Sequence, residues 1–306
     1  MTATAHEIAE RLGLRKSYGG GWRGACPACG YPTTFSLRQQ DGRPLWWCAS
    51  CGDKDAITAA VRAALGQDWT PPATPVPEKR QDAPSATRKR AWAMQLWDEA
   101  RPIGGTPAEA YLAARGVLDA WRAFPMPEWG EQLRFHPRTA HPAVPDRLPA
   151  LLALVRRATD GEPLAVHRTY LRPDGGGKAA VEPQKATLAA VAGGVVMLHQ
   201  PATDAALGIA EGIETALAAS CLMQRPAWAA VAAGNMAQLE LPPPPAARAV
   251  LVAADNDAPG QTAAWTAAQR WRAEGRKVRV ATPDNQGDDF ADILARRRAQ
   301  ETMDAR

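Results

Sequence analysis

Three acidic residues follow apolar, strand-like runs in the last third of the chain. Glu211 ends Leu-Gly-Ile-Ala-Glu-Gly, and Asp255-Asn256-Asp257 closes a run that begins Ala-Val-Leu-Val-Ala-Ala. In an open parallel sheet the carboxyl ends of the strands form the ligand crevice, so neighbouring strands would bring these three acids together. Residues two apart in a strand share a face, which lets both aspartates address one site. Clustered carboxylates repel one another unless a cation offsets them, and hard oxygen ligands select Mg²⁺ or Mn²⁺. Such ions keep waters and take substrate phosphates as further ligands, which suits phosphoryl or nucleotidyl transfer. Gly260 follows closely and allows a tight entry into the next helix. Asp288, Asp289 and Asp292 follow a later strand and leave two readings open. Asp289 and Asp292 add magnesium ligands, or the group caps the last helix and compensates its dipole.

A second constellation lies near the N-terminus. Cys26-Pro-Ala-Cys29 and Cys48-Ala-Ser-Cys51 have the spacing of a four-thiolate Zn²⁺ site built from two knuckles. Four soft ligands close the tetrahedron, so this zinc is structural. Between the pairs, Thr34–Arg38 and Arg43–Cys48 are strand-like and meet at an Asp-Gly turn, Asp41-Gly42. Arg23, Arg38 and Arg43, with Trp46 and Trp47, give a candidate nucleic-acid surface on which unstacked bases can rest. Adjacent strand residues face opposite ways, so one tryptophan can pack inward while the other is exposed. The fifth cysteine, Cys221, lies in an apolar helix and reads as a small buried hydrophobe.

The elements that must hold these groups follow from composition and periodicity. The stretch 67–90 carries five prolines and little apolar periodicity, and reads as an extended linker. It separates a cysteine-bearing unit, 1–66, from a segment of short helices and strands, 91–200. From 201 to 306 apolar strands alternate with helices, which predicts a mainly parallel sheet covered on both faces. The fold class expected is therefore multidomain, α/β and α+β: a small zinc ribbon, a mixed α+β segment and an α/β domain. At 46% hydrophobic and 22% charged residues, a wholly disordered chain is excluded. No apolar run reaches the ~18–20 residues of a membrane span. The N-terminus has no apolar signal core, so a cytoplasmic protein is expected. Residues 1–66 carry 8 basic against 5 acidic residues and residues 201–306 carry 11 against 13, so the basic excess is N-terminal and permits a polyanionic partner.

These motifs resemble a known family. Glu211-Gly212 before a helix and Asp255-x-Asp257-x-x-Gly260 resemble the Toprim domain of topoisomerases and DnaG-type primases. Asp289-Phe290-Ala291-Asp292 resembles the later acidic element of the primase branch, and the cysteine ribbon with its tail Gly52–Ile57 resembles the primase zinc domain. Tyr111-Leu112-Ala113-Ala114-Arg115-Gly116 matches the Tyr-Leu-x-x-Arg-Gly element near the start of the primase core. The stretch His167–Leu171, continuing through Lys178 and Lys185, resembles plasmid and phage Toprim primases. One departure is Cys29, which stands where the common bacterial zinc site has a histidine.

The resemblance implies a DNA primase: a nucleotidyltransferase that makes short RNA primers on single-stranded DNA from ribonucleoside triphosphates, in phage or plasmid replication. Glu211, Asp255 and Asp257 would be the catalytic acids. Lys178 and Lys185 would act beside them, and Arg115 and Arg168 would contact template or triphosphate. No Gly-x-x-x-x-Gly-Lys-[Ser/Thr] phosphate loop is present, so a replicative helicase is expected on a separate chain. A Toprim nuclease would use the same acids, and an idle single-strand-binding or helicase-loading subunit would use none of them.

Overall fold

The computed structural model describes residues 4–17, 20–40, 42–48, 50–66, 86–202 and 205–304. The chain divides into two compact units, Met1–Pro84 with His141–Asp146, and Ser85–Ala140 with Arg147–Arg306. The segments 91–200 and 201–306, read from the sequence as separate domains, thus lie in one unit. The expected linker lies outside the described residues as far as residue 85. Its last five residues are helical, because the helix expected near Lys89 already begins at Ala86. Among the described residues no helix is long and apolar enough to cross a membrane.

In the first unit, helix α1 (Ala5–Arg11) precedes an antiparallel sheet in chain order: β1 (Arg15–Lys16), β2 (Trp22–Gly24), β3 (Phe35–Gln40) and β4 (Arg43–Cys48). Helix α2 (Lys54–Leu65) follows, and Asp53 caps it by accepting the Asp55 and Ala56 N–H groups. Ile8, Phe35, Leu37, Ile57 and Val61 make a small core into which Cys26 and Cys48 also project. Such a core is marginal alone, and the four thiols supply the staple. Each cysteine pair forms the same knuckle: the Gly30 N–H reaches the Cys26 carbonyl at 2.8 Å, and the Gly52 N–H reaches that of Cys48 at 3.2 Å. Both glycines sit at positive φ, 72° and 61°, which closes the turn at no steric cost.

The four Sγ atoms lie within 4.8 Å of one another, with Cys26 to Cys51 at 3.9 Å and Cys29 to Cys48 at 3.8 Å. A tetrahedron of thiolates ~2.3 Å from Zn²⁺ has edges of ~3.8 Å, so this spacing fits zinc and is far too long for a disulfide. Burial pushes the Cys26 and Cys51 thiols up, to about 12 and about 11. At Cys48 burial is outweighed by the Thr34 hydroxyl and the Cys51 and Ser50 N–H groups, which bring it down to about 7. A cation among the four would hold the raised Cys26 and Cys51 thiols as thiolates near neutral pH.

The second unit begins with α3 (Ala86–Asp98), α4 (Pro107–Ala114) and α5 (Leu118–Arg122). An antiparallel sheet follows, ordered β5 (Leu133–Ala140), β6 (Arg147–Arg157), β7 (Pro163–Tyr170) and β8 (Lys185–Leu188), with β9 (Gly194–Val195) also on β6. One face, through Leu152, Leu154, Val166 and Tyr170, packs on Ala93 and Trp97 of α3. The opposite face carries Leu151, Ala153 and Ala165 into a core shared with Tyr111 and Leu112 of α4. The chain then continues through β10 (Leu207–Ala210), α6 (Ile213–Met223), β11 (Ala227–Ala229), α7 (Ala233–Met236), β12 (Ala249–Ala253), α8 (Ala258–Ala273), β13 (Lys277–Ala281) and α9 (Phe290–Asp304). These strands form a wholly parallel sheet ordered β11-β10-β12-β13, as the alternation of apolar strands and helices predicts. Ile213, Ala216 and Leu217 of α6 and Phe290 and Leu294 of α9 belong to the same core as α4. That shared core is why the two segments fold together, and it brings α4 and β8 to the carboxyl ends of the parallel strands.

Metal analysis of the purified chain should find one tightly held Zn²⁺. Cys48→Ser should lose it, along with the cooperative melting of the first unit, while the second unit keeps its own transition. A well-folded wild-type chain without zinc would contradict the assignment.

Candidate active site

The parallel sheet reverses its order beside β10, since the chain passes through α6 to β11 on one side and later reaches β12 on the other. The crevice of such a sheet opens at this reversal. Ala210 lies opposite Ala253, so Glu211 leaves β10 next to the point where the chain runs into Asp255. At Glu211, burial and then the Asp257 charge raise the carboxyl, offset in part by Lys185 and by the Ala233 N–H. At Asp255, burial followed by the charges of Glu211, Asp289 and Asp257 pushes the carboxyl up to about 8. Asp255 Oδ1 is buried and has no hydrogen-bond partner.

Asp257 has a second role as the N-cap of α8, with Oδ1 accepting the Gly260 N–H at 2.7 Å. A Cβ on residue 260 would stand 2.9 Å from that oxygen and 3.0 Å from the Asp255 carbonyl, so only glycine allows this turn. Asp289 shares its oxygens between cap and site. Oδ1 accepts the Ala291 and Asp292 N–H groups at 2.6 and 3.0 Å, and Oδ2 faces the Thr215 hydroxyl at 3.3 Å. Asp292 returns the cap by accepting the Asp289 N–H at 3.0 Å, and Asp288 pairs with Arg296 at 2.6 Å. Of the three late aspartates, Asp289 therefore joins the acid cluster. Asp292, a candidate magnesium ligand in the sequence, has its carboxylate committed to the helix start.

The cluster fits a divalent cation on two counts: an orphaned buried oxygen, and a carboxyl that cannot stay charged at neutral pH without an added positive charge. Its oxygens are less tightly gathered than the thiols. Among the described residues, the cysteines are the one group of three or more ligand side chains with donor atoms all within 4.8 Å. An open set of carboxylates suits Mg²⁺ or Mn²⁺, which draw remaining ligands from water and substrate oxygens.

Facing the acids is a cationic half. Lys185 on β8 places Nζ 3.1 Å from Glu214 Oε2, and Lys178 places Nζ 3.5 Å from Oε1. The Tyr111 hydroxyl donates to Oε1 at 2.5 Å. Burial alone would raise the Glu214 carboxyl, but Lys185, Lys178 and Tyr111 overturn that and hold it well below the usual range. Burial also opposes the charge on both lysines. Glu214 outweighs it at Lys185, which ends raised, and does not at Lys178, which ends lowered. Arg115 is exposed at the end of α4, and its charge acts on both Lys178 and Tyr111.

Sequence reasoning missed Glu214. The available signal was the one charged residue in a helix otherwise of apolar and small residues, since ionised residues are almost never fully buried unless paired. Arg168 needs the opposite correction. It is buried, donates to the Ala140 carbonyl at 2.9 Å and that of Ala186 at 3.4 Å, and lies over the Tyr170 ring, so it fastens strands together.

On the first unit, strand register settles which side chains share a face. Arg15, Arg23, Ser36 and Trp47 form one row across the four strands, and Arg38 pairs with Leu45 in the next. Paired residues point to the same side, so Arg23, Arg38, Arg43 and Trp47 line the outer face. Trp47 is 49% exposed there. Trp46 points the other way, packs on the core and donates Nε1–H to Thr58 Oγ1 at 3.3 Å. It is part of the unit's packing, not of the candidate platform.

This geometry meets an independent finding: residues 206–300 match the Toprim domain family. The C-terminal part of the chain is a Toprim domain. The segment before it, residues 87–198, matches a family described as a domain of unknown function (DUF7146). Among solved structures, the chain is similar to a DNA primase domain from Pseudomonas aeruginosa, at 19% identity over 55% of each chain with a TM-score of 0.34. That match spans about half the length of the Pseudomonas chain. It is also similar to the primase fragment of the bacteriophage T7 primase-helicase protein, at 16% identity over 95% of this chain and 98% of that one, TM-score 0.42. A third is the Aquifex aeolicus primase (zinc-binding and RNA polymerase domains), at 13% identity over 99% and 84%, TM-score 0.45. Within the Toprim domain, Glu211, Asp255 and Asp257 occupy the strand ends at the switch point.

The raised Asp255 carboxyl has a consequence for stability. A carboxyl raised in the folded state contributes stability that is present below its unfolded value and is lost as pH rises through the folded one. In magnesium-free buffer the second unit should therefore lose stability between about pH 4 and about pH 8, by on the order of a few kcal/mol. Asp255→Asn should lack this loss and melt above wild type at pH 9. Added Mg²⁺ should raise the wild-type melting temperature there and leave the variant unmoved. Parallel pH curves for the two proteins would contradict the crowding of these acids.

Proposed function

We propose that this chain is a DNA primase, joining ribonucleotides on a single-stranded DNA template in the replication of a phage or plasmid. The observation that carries the reading is the placement of an open acid cluster, suited to a divalent cation, beside Lys178 and Lys185 within one Toprim-containing unit. A triphosphate needs both halves: oxygen-ligated cations along its phosphates and fixed ammonium groups for its remaining charge.

In this reaction the primer 3′ oxygen bonds to the α-phosphorus of the incoming nucleotide, and the bond to pyrophosphate breaks. Asp255 and Asp257 would hold Mg²⁺ or Mn²⁺, which would supply Lewis-acid stabilisation of the developing charge. Glu211, raised by burial beside them, helps to organise the cation or assists transfer of the proton from the 3′ hydroxyl. Lys178 and Lys185 orient the triphosphate, and Arg115 at the rim extends the positive surface towards template. The arginine row of the zinc ribbon attracts the DNA backbone, and Trp47 offers a face on which a base can stack. A replicative helicase on another chain would supply the opened strand.

The purified chain, given ribonucleotides, Mg²⁺ and single-stranded DNA, should make short RNA. Asp257→Asn should fold and lose synthesis by roughly 10²–10⁴-fold, since the cation contributes several kcal/mol to the transition state. Cutting of labelled DNA without synthesis would favour a Toprim nuclease, and DNA binding with neither activity would favour an accessory subunit. Trp47→Ala should weaken single-strand binding by roughly tenfold at unchanged zinc content. Unaltered affinity would remove the stacking role.

A further inference from the structure

The acid cluster and the lysines have opposite charge and lie within each other's field, yet they remain apart. The Lys185 charge acts on both Glu211 and Asp255. Its Nζ lies beside the residue that follows Glu211, since a Cβ on Gly212 would stand 3.8 Å from it. A long, flexible ammonium this close to uncompensated carboxylates is their natural counter-ion, and in that role it would compete with any cation for the same oxygens. What holds it away is Glu214, whose side chain is 5% exposed and whose two oxygens each take one lysine.

We propose that Glu214 is a positioning residue that partitions the site: it binds Lys178 and Lys185 so that their ammonium groups do not neutralise Glu211 and Asp255, which stay available to a divalent cation. This rests on the reading of the acid cluster as a cation site. Glu214 has no duty in the cluster itself. Its oxygens are occupied by Lys178, Lys185 and the Tyr111 hydroxyl, which donates from the shared core and fixes the carboxylate's rotamer. His167, which shares a sheet face with Lys185, is buried and held neutral, down at about 3, by burial and the Lys185 charge, so it adds no competing cation. With Glu214 uncharged, the carboxylate whose charge still acts on Lys185 is Glu211.

The test is direct Mn²⁺ binding to the zinc-loaded full chain, read from the electron paramagnetic resonance of free Mn²⁺. Glu214→Gln keeps the shape and removes the charge, and should weaken Mn²⁺ binding by about tenfold or more, the usual scale for a residue behind metal ligands. Adding Lys185→Met removes the released competitor and should return affinity to within about threefold of wild type. A residue that only supports packing would show no such rescue by a second lesion. Wild-type affinity in Glu214→Gln, or equal weakness in the double variant, would overturn the role of Glu214 and leave the cation site standing. No Mn²⁺ binding by wild type would remove the cation site, and this proposal with it. If Glu214→Gln does not fold, Lys185→Met decides alone. Held by Glu214, Lys185 should be dispensable for Mn²⁺ affinity to within about threefold. A tightening of about tenfold would make it the acids' own counter-ion and overturn the partition.

Discussion

Carboxylates half-buried side by side repel one another and lose hydration together, and the second unit is built around accommodating that cost. Glu211, Asp255, Asp257 and Asp289 crowd the ends of the parallel strands. Asp255 carries the heaviest share, with its carboxyl up at about 8 and one buried oxygen without a partner. A protein core seeking stability alone would replace such a group with an apolar one. Keeping it makes sense where a cation arrives to offset the charge, so the local instability is itself the binding energy available to that cation.

The acids are held by regular elements. The strands β10 and β12 are paired in parallel along their length, and helices start directly from the loops that bear the acids. Asp257 and Asp289 each use one oxygen to accept backbone N–H groups at a helix N-terminus. Capping and ligation are often posed as alternatives, yet a carboxylate has two oxygens and can serve both. The cap fixes the rotamer, and the remaining oxygen is thereby aimed. Asp292 returns the cap through Oδ2.

Much of this was legible in the sequence because it rests on local rules. The Cys-x-x-Cys spacing, the Asp-Gly turn and the apolar runs ending in acids each determine structure within about ten residues, and the ribbon, the hairpin and the parallel sheet follow from them. What escaped is non-local. Glu214 becomes a hub only because α4 and β8, 103 and 29 residues away, deliver Tyr111 and Lys185 to it. Arg168 looked like a candidate for contact with a polyanion because its residue type is cationic. Only the strand register shows that its guanidinium is enclosed and spent on carbonyl groups. The orientation of the tryptophan pair is an intermediate case. Alternation demanded that Trp46 and Trp47 face opposite ways, and the position of α2, which offers Thr58 to Trp46, decides which one is inward.

The two units solve opposite electrostatic problems by the same means. In the ribbon, four thiols, of which burial pushes Cys26 and Cys51 up, are gathered at tetrahedral spacing, a closed set that leaves a metal no open position. In the Toprim domain, carboxylates are gathered loosely, and the missing ligands must come from outside the chain. Closure suits the first set to a structural ion, and openness leaves the second set room for ligands from outside the chain. The arginines of the ribbon stand on a face of their own, with an exposed tryptophan among them, whereas the lysines of the second unit are tied to a buried carboxylate. A surface cation can exchange counter-ions for a passing nucleic-acid backbone, which gives affinity without fixed geometry. A lysine held by a carboxylate gives up some of that affinity and gains a defined position, which is what stabilising charge on a reacting phosphate requires.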